Sequence, residues 1–93
     1  MGLSRLRLKI HGRVQGVFYR QSTLTQARTL GLFGWVANEE DGSVSIDAQG
    51  PKERLESLLI WCWKGPPNAR VDHIDASWIE ELDESYTRFE VLR

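Results

Sequence analysis

The chain has 93 residues, of which 41% are hydrophobic and 27% are charged, with a net charge of −1 and a pI near 6.1. These values predict one small globular domain, residues 1–93, with no general attraction to nucleic acid or anionic membranes. No apolar run approaches the ~20 residues of a membrane helix, and the N-terminus lacks the apolar core of a signal peptide. Cys62 is the single cysteine, so no internal disulfide can form, and we expect a reducing, cytoplasmic location.

Strand and helix patterns alternate in the first half of the chain. Apolar and basic residues alternate over residues 5–10, which predicts a half-buried strand whose basic face meets solvent. Residues 19–30 predict a helix that ends at Gly31. Residues 33–38 and 43–48 predict two further strands joined by an Asp-Gly hairpin turn. The residues expected on the inner face of the helix are Leu24, Ala27 and Leu30.

The second half predicts one more helix and two strands. Residues 51–64 predict an amphipathic helix, with Pro51 in its first turn and a Gly-Pro-Pro stop after it. Residues 71–79 predict a fourth strand and residues 87–92 a short last one. The order β-α-β-β-α-β plus a C-terminal strand predicts an α+β, ferredoxin-like split βαβ fold, with two helices on one face of an antiparallel sheet. The apolar stripe of this second helix comprises Leu55, Leu58, Leu59 and Cys62.

A glycine-containing loop joins the first strand to the first helix. Glycine permits positive φ, and successive N–H groups in a tight turn form an anion-binding nest. The helix N-terminus adds unpaired donors, and Arg20, placed just after the loop, adds a guanidinium that fits a phosphate bidentately. From these residues alone, an anion site and a plain strand-to-helix connection are equally open.

Other candidate chemistry is weaker. His11, His73 and Cys62 match no metal-ligand spacing, and no Gly-Lys-Ser/Thr follows the loop, so a nucleotide P-loop is excluded. Asn38, at the end of the second strand, suits a turn, although its amide oxygen could also accept a hydrogen bond from a water molecule.

Two longer motifs resemble those of the acylphosphatases. They are Gly12-Arg13-Val14-Gln15-Gly16-Val17-Phe18-Tyr19-Arg20 and Gly34-Trp35-Val36-Ala37-Asn38. Segments similar to the same family follow in the same order at 41–44, 49–51, 65–71 and 86–91, so the resemblance covers nearly the whole chain.

The resemblance implies a fold, a reaction and a set of site residues. Acylphosphatases have the ferredoxin-like fold and hydrolyse acyl phosphates to a carboxylate and inorganic phosphate, without metal or cofactor. It implies that Arg20 holds the phosphate together with backbone N–H groups of the loop, and that Asn38 positions the attacking water. It also implies a monomer whose partner is a small acyl phosphate, with neither nucleic acid nor membrane involved. The loop residues implied to bind the phosphate are Arg13, Val14, Gln15, Gly16 and Val17.

One departure and two alternatives accompany this interpretation. Many relatives have threonine after the asparagine, whereas this chain has Glu39, which we expect to affect substrate binding or pH dependence rather than to abolish activity. One alternative is a non-catalytic anion- or nucleic-acid-binding module, although the strand 43–48 lacks the aromatic residues typical of RNA-recognition domains. The other is a domain directed at carbamoyl phosphate.

Overall fold

The computed structural model describes residues 2–93 and contains seven regular elements. Within these residues, neither helix combines the length and the apolar character that a membrane span requires. The elements are β1 (Ser4–Arg13), α1 (Tyr19–Thr29), β2 (Phe33–Asn38), β3 (Val44–Gly50), α2 (Lys52–Lys64), β4 (Arg70–Ile79) and β5 (Phe89–Val91).

The five strands form one sheet in the order β4-β1-β3-β2-β5. The pairs β1–β3, β1–β4 and β2–β3 are antiparallel, so β1 and β2 run in the same direction and α1 crosses between them. The same relation holds for β3, α2 and β4, which confirms the split βαβ fold. Because β5 pairs with β2 in parallel, the complete sheet is mixed, and only its first four strands form the antiparallel sheet that we predicted.

A single hydrophobic core lies between the sheet and the two helices. In β1 the predicted alternation is confirmed, since Leu6, Leu8 and Ile10 are buried. In α2 three of the four residues of the predicted apolar stripe, Leu55, Leu58 and Cys62, are buried, and the fourth, Leu59, is partly buried against the same core. Pro51, however, takes φ −58° and ψ 137° at the N-cap, so it precedes the first turn rather than belonging to it.

The inner face of α1 agrees with the prediction at Ala27 and differs from it in the other buried residues. Tyr19, Thr23 and Ala27 are its buried residues, whereas Leu24 and Leu30 are only partly buried. Thr23 can be buried because its hydroxyl donates to the Tyr19 carbonyl at 2.8 Å, one helical turn earlier. A spacing of four residues therefore replaces the spacing of three that the leucines suggested.

The basic face of β1 is not simply solvated, which corrects the prediction for Arg5. Residues 81–86 cross this outer face of the sheet, where Arg5 donates to the Glu81 carbonyl at 3.1 Å and lies 5.6 Å from the centre of the Tyr86 ring. Beneath them, Arg5 and Arg7 both bind the side chain of Asp47, which is completely buried. Sequence periodicity indicates a face but cannot reveal that a distant segment covers it.

The topology brings three chain segments to one edge of the sheet. Because β1 and β2 are parallel, the loop after β1 and the end of β2 lie at the same edge, where α1 also begins. The last residues join them there. The backbone N–H of Leu92 donates to the Val36 carbonyl at 2.9 Å, and that of Asn38 donates to the Arg93 carbonyl at 2.7 Å.

Candidate active site

The loop between β1 and α1 begins at a β-bulge. The pairing of β1 with β4 shifts register between His11 and Gly12. A Cβ atom on Gly12 would lie 2.1 Å from the Arg70 carbonyl oxygen, and its φ is +130°. Only glycine fits this close approach, so Gly12 sets the point at which the chain leaves the sheet.

Two left-handed residues shape the loop itself. Gly16 has φ +75°, and Phe18, the N-cap of α1, has φ 66° and ψ 25°. A Cβ atom on Gly16 would meet nothing within 4 Å, so glycine is needed there for its backbone conformation and not for lack of space. Left-handed residues set into a short loop turn consecutive N–H groups toward one side, which is the geometry of an anion nest.

The loop is fixed to the β2–β3 hairpin by Gln15. The side-chain Nε2 of Gln15 donates to the carbonyls of Glu39 at 2.8 Å and Ser43 at 2.9 Å. These two residues flank the hairpin turn that follows Asn38. Gln15 therefore sets the position of the loop relative to the end of β2.

The start of α1 has donors without acceptors. Phe18 provides no side-chain cap, and the first bond at this end runs from the Ser22 N–H to the Phe18 carbonyl at 3.0 Å. Within residues 2–93, the backbone N–H groups of residues 15–21 donate to no protein acceptor. Such groups at a helix N-terminus carry a partial positive charge and favour an anion.

A cleft of about 460 Å³ opens beside this helix start. Arg20 lines the cleft and is partly buried, and in the described part of the chain its guanidinium has no ion-pair partner. An arginine fork without an internal carboxylate is available for an external anion. The residues that line the cleft are Val14, Gly16, Phe18, Tyr19, Arg20, Gln21, Asn38 and Val91.

Asn38, which lines this cleft, carries an unusual acceptor. Its Oδ1 is buried and, within residues 2–93, is the one buried side-chain oxygen or nitrogen without a hydrogen-bond partner. A buried polar atom without a partner is unfavourable for stability and usually has a functional reason. Here the free acceptor belongs to a residue that lines the same cleft as Arg20.

Two nearby ionisable side chains, Glu39 and Cys62, are not among the residues that line the cleft. Hydrogen bonds with Ser45 and with Arg93 hold the pKa of the Glu39 carboxyl below its ordinary value, and Arg93 Nη2 lies 2.9 Å from Glu39 Oε1. Glu39 is therefore a paired carboxylate outside the cleft lining. Burial raises the pKa of the Cys62 thiol to about 12, which leaves it protonated and unsuited to act as a nucleophile.

The structure brings together only part of the predicted set. Val14, Gly16, Arg20 and Asn38 line one cleft, as the two motifs suggested. The other three predicted residues, Arg13, Gln15 and Val17, are not among its lining residues. Arg13 is the exposed last residue of β1, Val17 is buried in the core, and Gln15 binds the hairpin.

Sequence reasoning missed four lining residues. Phe18 and Tyr19 lie inside the first motif but were given no role, and Gln21 follows it directly. Tyr19 is buried, and its hydroxyl donates to the Cys62 carbonyl at 2.6 Å, which ties the helix start to α2. Val91 could not be found from local pattern, because it reaches the cleft only through the parallel pairing of β5 with β2.

Comparison with known proteins shows to which family this chain belongs. A model of the acylphosphatase family matches residues 6–91 of this chain. The chain belongs to the acylphosphatase family. The acylphosphatase of Methylococcus capsulatus is 45% identical over 91 residues, which are 98% of each chain. The acylphosphatase of a Synechococcus strain is 52% identical over 73 residues, 78% of this chain, and this match spans 62% of the relative's length.

Structural comparison agrees with the sequence comparison. The crystal structure of the acylphosphatase from Bacillus subtilis superposes with a TM-score of 0.92 at 35% identity, covering 99% of this chain and 100% of that one. The predicted family, the predicted fold and the predicted enzyme class, an acylphosphatase, are therefore confirmed. The roles of individual residues in this acylphosphatase site stay predictions.

Proposed function

We propose that this cleft hydrolyses the carboxyl–phosphate bond of acyl phosphates by direct in-line attack of water, without a metal ion. The observation that carries the proposal is that unpaired groups lie together at one cleft: Arg20 and Asn38 line it, and the backbone N–H groups of residues 15–21, which have no protein acceptor within residues 2–93, lie at the loop and helix start beside it. Elsewhere in the described residues, buried side-chain polar atoms have partners. Within residues 2–93, the one buried side-chain atom without a partner thus belongs to a residue that lines the cleft.

The donors suit a phosphoryl group. Arg20 supplies two parallel N–H donors, and the loop and helix start supply backbone donors that need no rearrangement when the substrate arrives. In phosphoryl transfer, negative charge is spread over the equatorial oxygens of the transition state, so fixed donors and one cation lower the barrier directly. Binding and catalysis thereby depend on the same groups.

In this proposal Asn38 positions the attacking water. Its free Oδ1 accepts a hydrogen bond from the attacking water and orients it toward phosphorus, opposite the bond that breaks. As the water oxygen bonds to phosphorus, the phosphorus–oxygen bond to the acyl group breaks and its electron pair leaves with the carboxylate. A carboxylate is the conjugate base of an acid with a pKa of about 4, so no general acid is required.

The lining residues also indicate where the proton of the attacking water goes and why the proposal includes no metal ion. Among the described residues that line the cleft, none carries a carboxylate, an imidazole or a thiol. The proton lost by water therefore passes to a phosphoryl oxygen or to solvent. The same donor set favours an anion over a metal cation, because metal ions in proteins are held by carboxylate, imidazole or thiolate groups.

We propose further that residues 1–93 act as one domain and as a monomer in the cytoplasm. One continuous core joins both helices to the sheet, and a single chain supplies every residue named in the site. Equilibrium sedimentation over a wide concentration range tests the monomer, and a mass of twice 10.7 kDa would contradict it.

The experiment is hydrolysis of benzoyl phosphate in the presence of a metal chelator, for the wild type, Arg20→Ala and Arg28→Ala. Arg28 is an exposed residue of the same helix that donates one 3.4 Å hydrogen bond to the Phe89 carbonyl and is not among the residues that line the cleft, so it serves as the matched control. We expect turnover that the chelator does not affect, that is lost in Arg20→Ala and that is retained in Arg28→Ala. Turnover that survives in Arg20→Ala would place the chemistry elsewhere.

Two added measurements separate the alternatives. A folded wild type that hydrolyses no acyl phosphate but retains RNA on a filter would be a nucleic-acid-binding module. Hydrolysis of carbamoyl phosphate with a much higher kcat/KM than of benzoyl or acetyl phosphate would indicate the carbamoyl-directed alternative.

A further inference from the structure

Phe18 has three notable features, and the proposed chemistry uses its backbone conformation but not its side chain. Its side chain is 80% exposed, although it is a large aromatic residue. Its φ of 66° makes it the one non-glycine residue with positive φ among residues 2–93. It also lines the cleft, directly between the donor loop and the start of α1.

The fold does not explain a phenyl ring at this position. An exposed ring gains little from burial, and a left-handed N-cap accommodates glycine or asparagine with less strain than phenylalanine. Ile60 offers a contrast, because it is 73% exposed within the regular backbone of α2 and carries no such strain. Strained residues that the fold does not require cluster at ligand sites.

The cleft is larger and more apolar than a phosphate requires. Its volume of about 460 Å³ far exceeds the space of a few water molecules, each of which occupies about 30 Å³ in the liquid. Arg20 and Asn38 provide a polar part, whereas Val14, Val91 and Phe18 provide apolar surface. An acyl phosphate has the same division between a charged phosphate and a carbon-bearing acyl group.

We propose that Phe18 is the acyl-group contact of the site and that it selects acyl phosphates with aromatic or large apolar acyl groups over small ones. With the phosphate held at the loop and Arg20, the acyl group extends toward the mouth of the cleft, where the exposed ring packs against it. An aromatic acyl group then covers apolar surface on both partners, which an acetyl group is too small to do. This inference rests on the proposed function and adds the substrate class.

The test compares kcat/KM for benzoyl phosphate with kcat/KM for acetyl phosphate. Phe18→Gly removes the ring and relieves the positive φ, Phe18→Tyr retains a ring, and Ile60→Ala removes an exposed apolar side chain away from the cleft. We expect the benzoyl-to-acetyl ratio to fall about 3- to 10-fold in Phe18→Gly, since an aromatic pair contributes that much to binding. Phe18→Tyr and Ile60→Ala should keep the wild-type ratio.

A binding measurement separates the failure of this inference from the failure of the proposed function. Isothermal titration calorimetry with phenylphosphonate and methylphosphonate reports the same contact without turnover, and the preference for the phenyl compound should likewise fall in Phe18→Gly. An unchanged preference and an unchanged kinetic ratio would overturn the role of Phe18 while leaving the hydrolase intact. A wild type that hydrolyses no acyl phosphate would overturn the function, even if Phe18 still selected the phenyl compound.

Discussion

Two arginine sites in this small domain are built in opposite ways. On the outer face of the sheet, Arg5 and Arg7 share the carboxylate of Asp47, with four N–H···O distances between 2.7 and 3.0 Å. At the sheet edge, Arg20 has no carboxylate partner in the part of the chain that the structure describes. Asn38 lines the same cleft, and its buried Oδ1 is unpaired as well.

The difference shows where the chain satisfies its own charges and where it leaves them for a ligand. Burial alone would raise the pKa of the Asp47 carboxyl, but the hydrogen bonds and charges of Arg5 and Arg7 outweigh burial and lower it. That cluster is complete without any outside partner and therefore acts on stability. The groups around Arg20 are incomplete, so we expect their substitutions to act on activity.

The largest expected effect is at Arg20. Arg20→Lys keeps the charge but loses the planar fork, and we expect kcat/KM for benzoyl phosphate to fall by at least about 1,000-fold. Because Arg20 forms no internal ion pair, the free energy of unfolding should change by less than about 0.5 kcal/mol. Denaturation in urea beside steady-state kinetics measures both quantities. A large loss of stability would show that Arg20 is a structural arginine like Arg5.

Asp47→Asn should produce the opposite outcome. Removing one partner of a buried ion pair should lower the free energy of unfolding by about 3–5 kcal/mol, while molecules that remain folded keep their kcat. Because the folded pKa of Asp47 is lowered, its stabilisation is present above pH about 4 and is lost as the pH falls through that folded value. Between pH 2 and pH 7 the free energy of unfolding should therefore be measured at each pH, and below pH 4 it should depend less on pH in the variant than in the wild type. Asp72→Asn, at an exposed ion pair, is the control.

Asn38→Ala tests whether the unpaired oxygen serves the water. We expect kcat to fall about 100-fold, with little change in inhibition by inorganic phosphate. Since the variant removes a buried acceptor that has no partner, stability should be unchanged or slightly higher. Weaker phosphate inhibition with an intact kcat would instead make Asn38 part of the anion site.

Gln15 shares features of both sites. Its side chain forms two hydrogen bonds within the protein, whereas the backbone N–H groups of the loop that it holds have no acceptor in the described part of the chain. Gln15→Ala removes two hydrogen bonds and should lower stability by about 1–2 kcal/mol, with several-fold weaker inhibition by inorganic phosphate. Gln49→Ala is a matched control, since this buried amide forms two bonds with the Asp83 backbone. An equal loss of phosphate inhibition in both variants would mean a general loosening and no specific role for Gln15.

The smallest effect is expected at Glu39. Its pKa is lowered, so it remains a carboxylate near an anionic substrate, but Arg93 already pairs with it. Glu39→Thr should lower KM only about two- to threefold at low salt, because a paired and partly exposed charge repels weakly, and added salt should remove the difference. The ratio of the wild-type KM to the variant KM should stay constant from pH 6 to 8. Glu40→Thr provides the control, and a loss of kcat in Glu39→Thr would give Glu39 a direct role in catalysis.

Local pattern predicted most of the elements and part of the site. Alternation identified β1, the apolar stripe identified α2, and the two motifs pointed to Arg20 and Asn38, which do line one cleft. In α1, Ala27 was predicted correctly, but Leu24 and Leu30 are only partly buried against the core instead of lying at the centre of the inner face. Thr23 is fully buried instead, because its hydroxyl forms a hydrogen bond within the helix. The polarity of the residue gives no sign of this bond.

By itself, the sequence determined the order of elements, the family and the residue types of the site, because these depend on spacing along the chain. Only the tertiary structure decided which groups remain without partners. Asp47 is satisfied by residues 40 and 42 positions away, Val91 reaches the cleft through a parallel strand pair, and residues 81–86 cover the outer face. These contacts join distant segments, so no local pattern encodes them. The free Arg20 and Asn38 Oδ1 could be recognised only after the partners of the other groups had been found.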